Sequence, residues 1–148
     1  MIKGTITHPQ ILQALATAGH KSTVLIADAH YAAATAVGPN AHTVHLHLTA
    51  GAPTIPDVLR AVLDTVVVEH ASQIKATADA LPSTVQQEVA ETLPTGVPLE
   101  YVERYAFYEL ARQGDLALAV VTGDTRRFGN VLLRLGALIT PPEPATGR

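Results

Sequence analysis

The sequence predicts a single α/β domain with a largely parallel central sheet flanked by helices. Two observations favour this fold class. The chain has 148 residues, of which 47% are hydrophobic, so it has the length of one domain and enough apolar side chains for a core. Segments with the apolar spacing of a helix alternate with short runs of β-branched residues. No internal repeat interrupts this alternation.

Clear end signals mark the first helix and the first strand. Proline is tolerated in the first turn of a helix, so His8-Pro9 predicts a helix start and Gly19 predicts its end. The segment 23–27 is short and β-rich, which predicts a buried strand that ends at Asp28. A loop is expected from there to Asn40.

Two strands and two helices are predicted in the middle of the chain. Residues 43–48 alternate apolar and polar side chains, as in a half-buried strand. Thr54 and Asp57 form a variant capping box ahead of an amphipathic helix, and the three valines 66–68 predict a buried strand. A helix with a polar face is expected over 83–93.

The last third of the chain completes the alternation. It predicts a fourth strand at 99–102, a helix at 104–113 with Gly114 as its cap, a fifth strand at 116–121 and a sixth at 130–135.

The domain is expected to span residues 1–139. Residues 140–148 lack apolar periodicity and are expected to form a flexible C-terminal tail.

Composition excludes several classes of protein. The net charge is −3 and there is no basic run, so a nucleic-acid partner is not expected. The absence of cysteine excludes disulfides, thiolate nucleophiles and cysteine-based zinc sites. The longest purely apolar run, 116–121, is too short to span a membrane, and the N-terminus lacks a signal-peptide pattern. A soluble, cytoplasmic protein is therefore expected.

Charged residues make up only 16% of the chain, which is below the usual share of about 25%. A small domain with so few charges often buries apolar surface against further copies of itself. The composition therefore favours a homo-oligomer over an alanine-rich monomer.

Two residues next to the first strand are candidates for chemistry. Ligands bind at the carboxyl ends of parallel strands, so Asp28 and the loop after Val121 are expected near the functional site. The Asp28 carboxylate can hold a substrate hydroxyl or orient an imidazole, and the alternative is a carboxylate that only caps a turn. His20 lies in a tight connection, where an imidazole can donate and accept protons near neutral pH. The alternative is an ordinary surface histidine.

Further along the chain, Arg104 and Asn130 are candidates for ligand binding. Arg104 offers a fixed fork of donors to a hydroxylated or anionic ligand, unless its stem only covers Tyr108. Asn130, after Gly129, brings an amide that both donates and accepts. No phosphate loop, GxSxG elbow or dinucleotide fingerprint is present.

Three histidines, His42, His45 and His47, offer a different reading. Residues two apart in a strand share a face, so His45 and His47 with His42 would make a three-histidine metal site. No carboxylate stands at a recognisable spacing, and an amphipathic strand with its polar face in solvent gives the same pattern.

The sequence resembles the D-ribose pyranase / L-fucose mutarotase family over about residues 1–138. Six segments in the same order carry the resemblance: Met1-Ile2-Lys3-Gly4, Gly19-His20, Ile26-Ala27-Asp28-Ala29-His30, Arg104-Tyr105-Ala106-Phe107-Tyr108-Glu109, Thr122-Gly123-Asp124 and Gly129-Asn130-Val131-Leu132-Leu133. The segments around Asp28 and Arg104 are similar to the fucose branch. Residues 96–102 look more like the ribose branch.

This resemblance implies roles for particular residues. His20 would be the proton donor, and Asp28, Arg104 and the segment Phe128-Gly129-Asn130 would bind the sugar. It implies no cofactor and no metal, and a ring-shaped homo-oligomer, possibly a decamer, with sites near subunit contacts. The family usually has a tyrosine where this chain has Phe128, so one hydroxyl that faces the sugar is lost.

Three functions are therefore compared. The first is a mutarotase or pyranase that interconverts cyclic forms of a monosaccharide, with an L-fucose-like sugar favoured and a D-ribose-like sugar second. The second is a sugar-binding relative with little or no turnover, which Phe128 motivates. The third is a metal-binding protein that uses the histidines at 42, 45 and 47.

Overall fold

The computed structural model describes residues 1–144 as one mixed α/β unit. Its four α-helices are α1 (Pro9–Ala18), α2 (Ile55–Leu63), α3 (Thr84–Thr92) and α4 (Arg104–Ala111). Its six strands are β1 (Thr23–Ala27), β2 (His42–His45), β3 (Val68–Ile74), β4 (Leu99–Val102), β5 (Leu116–Val121) and β6 (Val131–Leu135). A short 3₁₀ turn at Ala78–Ala80 precedes α3.

All six strands form one sheet in the order β2-β5-β1-β6-β3-β4. The pairs β2–β5, β5–β1 and β3–β4 are parallel, whereas β6 runs antiparallel to both of its neighbours, β1 and β3. The prediction of a largely parallel sheet is thus correct for every strand except β6. The connection before β6 spans only residues 122–130 and holds no helix, so the chain re-enters the sheet from the edge at which β5 ended.

Helices cover both faces of the sheet, and each face has its own core. On one face α1, α2 and α3 pack against alternate strand residues such as Val24 and Ile26. On the other face α4 and the loop 29–41 pack against Leu25 and its neighbours, with Phe107 fully buried. Alternation along buried strands therefore separates the two cores, as a sheet with helices on both sides requires.

Several predicted elements are confirmed at their ends. The strands 23–27, 99–102 and 116–121 have the predicted bounds. The capping box of α2 forms through Thr54 and Asp57, and His8 caps α1.

The valine run 66–68 was misassigned as a strand. Val66 donates its N–H to the carbonyl of Val62 in the turn after α2, and only Val68 enters β3. The strand continues to Ile74 through polar residues that do not alternate with apolar ones, so its pattern was hidden in the sequence.

Three other bounds differ from the prediction. β2 is His42–His45 rather than 43–48, because the chain leaves the sheet for a turn in which Gly51 donates its N–H to the carbonyl of Gly123. α4 ends at Ala111 with Arg112 as its cap, rather than at Gln113 with Gly114. β6 begins at Val131, so Asn130 precedes the strand.

Beyond β6, residues 136–144 form neither helix nor strand. The rest of the predicted tail, 145–148, lies outside the described residues. No helix within residues 1–144 is both long and apolar enough to cross a membrane.

Candidate active site

Most of the predicted ligand-binding residues meet at one edge of the sheet. Asp28 follows β1, Arg104 begins the helix after β4, and Asn130 precedes β6. Because β6 is reversed, its first residue, Val131, pairs with Ile26 and Gln73 near the carboxyl ends of β1 and β3. Together these side chains enclose a cavity of about 180 Å³, lined by Asp28, His30, Tyr31, Ile74, Arg104, Tyr108, Arg127, Phe128 and Asn130. Cavities for drug-sized ligands measure roughly 300–1,000 Å³, so this one suits a smaller molecule.

Asp28 and Asn130 are buried and fixed to each other by the backbone. The amide oxygen of Asn130 accepts the N–H of Asp28 at 2.7 Å, and one carboxylate oxygen of Asp28 accepts the N–H of His30 at 2.9 Å. The Asn130 amide also makes a side-chain hydrogen bond to the Asp28 carboxyl that acts to lower its pKa, so the Asn130 side chain contacts both the backbone and the carboxyl of Asp28. Burial raises the pKa of Asp28 above its usual value despite the hydrogen bond from His30.

Two buried glutamines hold the Phe128-Gly129 segment against the sheet. Gln86 on α3 donates to the carbonyl of Phe128 at 3.1 Å, and Gln73 on β3 donates to the carbonyl of Gly129 at 3.1 Å. Phe128 has a φ of 66°, which only a well-supported non-glycine residue adopts. These bonds fix the direction in which the Phe128 ring enters the cavity.

Gly129 has a packing role in this structure and is not among the cavity-lining residues. A Cβ at Gly129 would lie 2.7 Å from the Cδ1 of Ile55 and 2.9 Å from a methyl group of Val85. The glycine therefore lets the segment approach α2 and α3 closely, while its neighbours Phe128 and Asn130 reach the ligand side.

Two arginines lie against the ring of Phe128. The guanidinium carbon of Arg127 is 5.0 Å from the ring centroid and that of Arg104 is 5.9 Å from it, which is within the range of cation–π attraction. Arg127 also contacts Asp79 at 3.2 Å, an exposed pair of little energetic weight. Arg104 takes part in no ion pair among residues 1–144, so its donors are available to a ligand.

The sequence did not single out several of the other lining residues. Tyr31 donates its hydroxyl to the carbonyl of Ala36 at 2.7 Å and contacts Tyr108 edge to face, with ring centroids 5.8 Å apart. Burial raises the pKa of Tyr31 well above its usual value, so this hydroxyl stays neutral. His30 lies two residues after Asp28, and this closeness in sequence was the one signal that could have placed His30 among the candidate site residues.

Asp124 is a buried carboxylate that joins the loop after β5 to the start of α2. Its carboxylate accepts two hydrogen bonds from the Arg126 guanidinium, at 2.8 and 3.0 Å, and one from the Ile55 N–H at the start of α2. Burial alone would raise the pKa of Asp124, but the bonds from Arg126 and Ile55 outweigh it and hold the pKa below its usual value. The carbonyl of Asp124 also accepts the N–H of Ala29, which ties the two strand-end loops together.

His20 lies at the opposite end of the sheet. It precedes β1, whereas Asp28 follows that strand, and five extended residues span about 17 Å. Its Nε2 lies 3.0 Å from a carboxylate oxygen of Glu69, and its surroundings include Leu15, Val67 and Leu138. One chain therefore does not bring the predicted proton donor to the predicted sugar-binding residues.

The three histidines proposed as metal ligands do not converge. His45 ends β2 and His47 lies beyond it, with the two imidazole rings in edge-to-face contact at 5.9 Å. His42 lies beside Asn40 and Gly114 in a different depression. No group of three or more histidine, aspartate or glutamate side chains suited to a metal occurs within residues 1–144.

Fold and cavity together define an α/β protein with a small polar site, lined by aromatic rings, at the carboxyl ends of its parallel strands. This site type suits a polyhydroxylated small molecule, which needs several hydrogen-bond donors and acceptors and an apolar surface for stacking. The match to a family model over residues 1–138 agrees with this class, and the chain belongs to the RbsD / FucU transport protein family.

Individual relatives show the same membership. The chain is 34% identical to D-ribose pyranase 2 of Streptomyces griseus over 92% of its own length and 98% of that protein. It is 28% identical to the fucose mutarotase of Danio rerio, with 97% of each chain covered. The structure of Bacillus subtilis RbsD complexed with D-ribose superposes with a TM-score of 0.79 at 23% identity, over 94% of this chain and all of that one.

Proposed function

We propose that this protein is a mutarotase or pyranase that interconverts cyclic forms of a monosaccharide. The observation that carries the proposal is the cavity that Asp28, Arg104 and Asn130 line together with the ring of Phe128. These groups offer a carboxyl, a guanidinium, an amide and a stacking surface within about 180 Å³. Membership of a family that contains a D-ribose pyranase and a fucose mutarotase supports the same activity.

The reaction requires only proton transfers. In ring opening, the anomeric hydroxyl loses its proton, the bond between the anomeric carbon and the ring oxygen breaks, and the ring oxygen gains a proton. Closure on the other face of the carbonyl, or through another hydroxyl, reverses these transfers. One well-placed acid/base group contributes about 10²–10⁴-fold to such a reaction, and positioning of the sugar adds to it.

Each cavity residue has a part in this proposal. The N–H groups of Asn130 and Arg104 donate to sugar hydroxyls, and the carboxyl of Asp28 accepts from one or donates to another. The Phe128 ring offers an apolar surface to the sugar, and the two guanidiniums that contact the ring also line the cavity. Because the Asn130 oxygen accepts the peptide N–H of Asp28 and the amide also bonds the Asp28 carboxyl, the orientation of the Asn130 side chain is fixed beside the sugar.

His20 is the proton carrier in this proposal, and it reaches the sugar from a second copy of the chain. Its distance from Asp28 within one chain supports a site shared between subunits. Val67 and Leu138 are exposed beside His20, and Tyr105 is exposed beside Arg104, so apolar surface is available at both ends of the sheet. Contacts between unlike ends close into a ring when the rotation between neighbours permits it, so this arrangement is consistent with the proposed ring-shaped homo-oligomer, with a decamer as one size.

The proposal ranks two sugars as substrates. An L-fucose-like sugar comes first, because the helix that begins Arg104-Tyr105-Ala106-Phe107-Tyr108 resembles the fucose branch, and Arg104 faces the cavity. A D-ribose-like sugar comes second, supported by the 34% identity to a D-ribose pyranase.

A second candidate function is sugar binding with little turnover. The observation that favours it is Phe128, which places a ring without a hydroxyl at the centre of the cavity lining.

Anomer exchange measured by NMR tests the proposal. L-Fucose, D-ribose and further aldoses are mixed with the protein, and saturation transfer or line shapes report binding and exchange together. The proposal expects faster exchange for at least one sugar. Binding without exchange selects the second function, and neither binding nor exchange with any aldose rejects the assignment to sugars.

A further inference from the structure

A carboxylate on β3 organises the surroundings of His20. One oxygen of Glu69 lies 3.0 Å from Nε2 of His20, and the other accepts from Lys21 at 3.0 Å and from Arg134 at 2.9 Å. The two cations therefore share one oxygen and leave the second oxygen to the imidazole. Lys21, His20 and Arg134 lower the pKa of Glu69 to about 2, so the carboxylate is ionised at neutral pH.

The backbone that carries His20 is also fixed. Gly19 and Lys21, on either side of it, have φ values of 76° and 72°. Lys21 donates its N–H to the carbonyl of Leu135 at 3.0 Å, and Leu135 donates back to Ser22 at 2.9 Å. With the main chain held in this way, the contact with Glu69 decides how the imidazole is turned.

We propose that Glu69 is a positioning residue that holds Nε2 of His20, so that Nδ1 is the atom that exchanges protons with the sugar. This inference rests on the proposed function. A neutral imidazole carries one proton, and if that proton lies on Nε2 and points at Glu69, Nδ1 keeps its lone pair. Nδ1 then accepts the proton of the anomeric hydroxyl, and the imidazolium that forms stands beside a carboxylate. The same proton passes from Nδ1 to the ring oxygen, which returns the imidazole to its neutral form.

Lys21 and Arg134 give the arrangement a further property. Both cations bind one oxygen of Glu69, so they hold the carboxylate in place while its other oxygen contacts Nε2 of His20. Within residues 1–144, the charged side chains that contact the Glu69 carboxylate are His20, Lys21 and Arg134.

Glu69→Gln tests the proposal, with Glu100→Gln as the matched control. Glu100 on β4 is a more exposed carboxylate beside another histidine, 3.6 Å from Nε2 of His70, and it forms no ion pair with His20 within residues 1–144. Glu69→Gln should lower kcat for anomer exchange about tenfold, a part of the 10²–10⁴-fold that a general acid/base group supplies, with KM unchanged. Glu69→Asp should recover part of the loss because it keeps the charge. Glu100→Gln should exchange at the parent rate.

A ¹⁵N spectrum of the histidine rings gives a readout that does not depend on turnover. The His20 signals are assigned by their loss in His20→Ala. In the parent, the neutral His20 ring should show a protonated Nε2 whose proton survives solvent exchange, and in Glu69→Gln this protection should be lost. Equal kcat in the parent and Glu69→Gln overturns the proposal while leaving the proposed function intact. If the parent exchanges no sugar, the proposed function fails, and an unprotected Nε2 in the parent overturns the role of Glu69 separately.

Discussion

At the carboxyl ends of the parallel strands, Asp28 and Asn130 are buried and hydrogen-bonded through the backbone. At the other end, His20 and Lys21 are exposed and contact Glu69 through charged side chains. The fold of one chain is therefore sufficient to position the groups proposed to bind the sugar. His20, the group proposed to move the proton, lies on the surface. The sugar-binding groups with which it would act therefore have to come from another copy of the chain.

The largest effect is expected at the exposed end. His20→Ala should lower anomer exchange by at least ~10²-fold, the lower end of general acid/base contributions, because the proton carrier is removed. Binding should weaken much less, since no group of the cavity changes. Exchange by NMR and binding by saturation difference are measured on the same samples. A variant that exchanges at the parent rate would remove His20 from the mechanism.

Mixing two inactive variants tests whether the two ends meet between chains. His20→Ala and Asp28→Asn oligomers are dissociated, mixed in equal amounts and reassembled. Random assembly of a head-to-tail ring gives about a quarter of the sites with both native residues, so exchange should return to roughly that fraction of the parent rate. Light scattering should give a mass several times 15.6 kDa at micromolar protein. A stable monomer, or mixed oligomers that stay inactive, would contradict a site shared between subunits.

Asp124→Asn tests the hydrogen bonds that the buried Asp124 carboxylate accepts from Arg126 and Ile55. The amide keeps the shape but replaces one acceptor with a donor that faces Arg126 or Ile55, so the free energy of unfolding should fall by about 2 kcal/mol. The pKa of Asp124 lies below its usual value, so its contribution is present above about pH 4 and disappears as the pH falls further. Denaturant unfolding should show a flatter acid dependence in the variant.

Glu88→Gln is the control for that experiment. Glu88 contacts the same guanidinium, that of Arg126, at 2.8 Å, but the pair is more exposed. The loss should be no more than about 1 kcal/mol. Equal losses in the two variants would show that burial of Asp124 adds nothing.

The smallest effect is expected for Phe128→Tyr, which adds one hydroxyl to the cavity lining and keeps the aromatic ring. A neutral hydrogen bond contributes about 0.5–1.5 kcal/mol, so a hydroxyl that only positions the sugar should speed exchange by roughly two- to tenfold. If the parent is nearly silent and the tyrosine restores exchange, the parent is a binding protein that has lost turnover. If both are silent with every aldose, the sugar assignment fails.

Local patterns were sufficient to predict most of the fold. Strands 23–27 and 116–121 are buried apolar runs, and the caps of α1 and α2 are local hydrogen bonds, so short segments of sequence carry their signals. β3 was placed wrongly because it contains the buried polar residues Ser72 and Gln73, and the partner of Gln73, the carbonyl of Gly129, lies far along the chain. The reversed direction of β6 follows from the short connection 122–130, which holds no helix, and the prediction of a largely parallel sheet did not take this signal into account.

Local patterns also predicted part of the candidate site. Asp28, Arg104 and Asn130 stand at strand ends that the sequence located, and the fold brings them together. Tyr31 lies in a loop whose course depends on tertiary contacts, so its place in the cavity was not predictable. Arg127 lies in the loop after Val121, which was predicted near the site, although the residue itself was not singled out. The separation of His20 from Asp28 follows directly from their positions before and after one strand, and the assignment of roles by resemblance did not take it into account.

The reversal of β6 also brings the loop before this strand to the edge of the sheet at which the cavity lies. Residues 125–128 are bounded by Asp124, which is tied to α2, and by Gly129, which fits only as a glycine between Ile55 and Val85. Both bounds belong to the framework, whereas the four positions between them supply Arg127 and Phe128 to the cavity. Arg126 is tied to Asp124 and Glu88, so within this segment Arg127 and Phe128 are the positions at which a substitution would change what a ligand meets while the ends of the segment stay fixed.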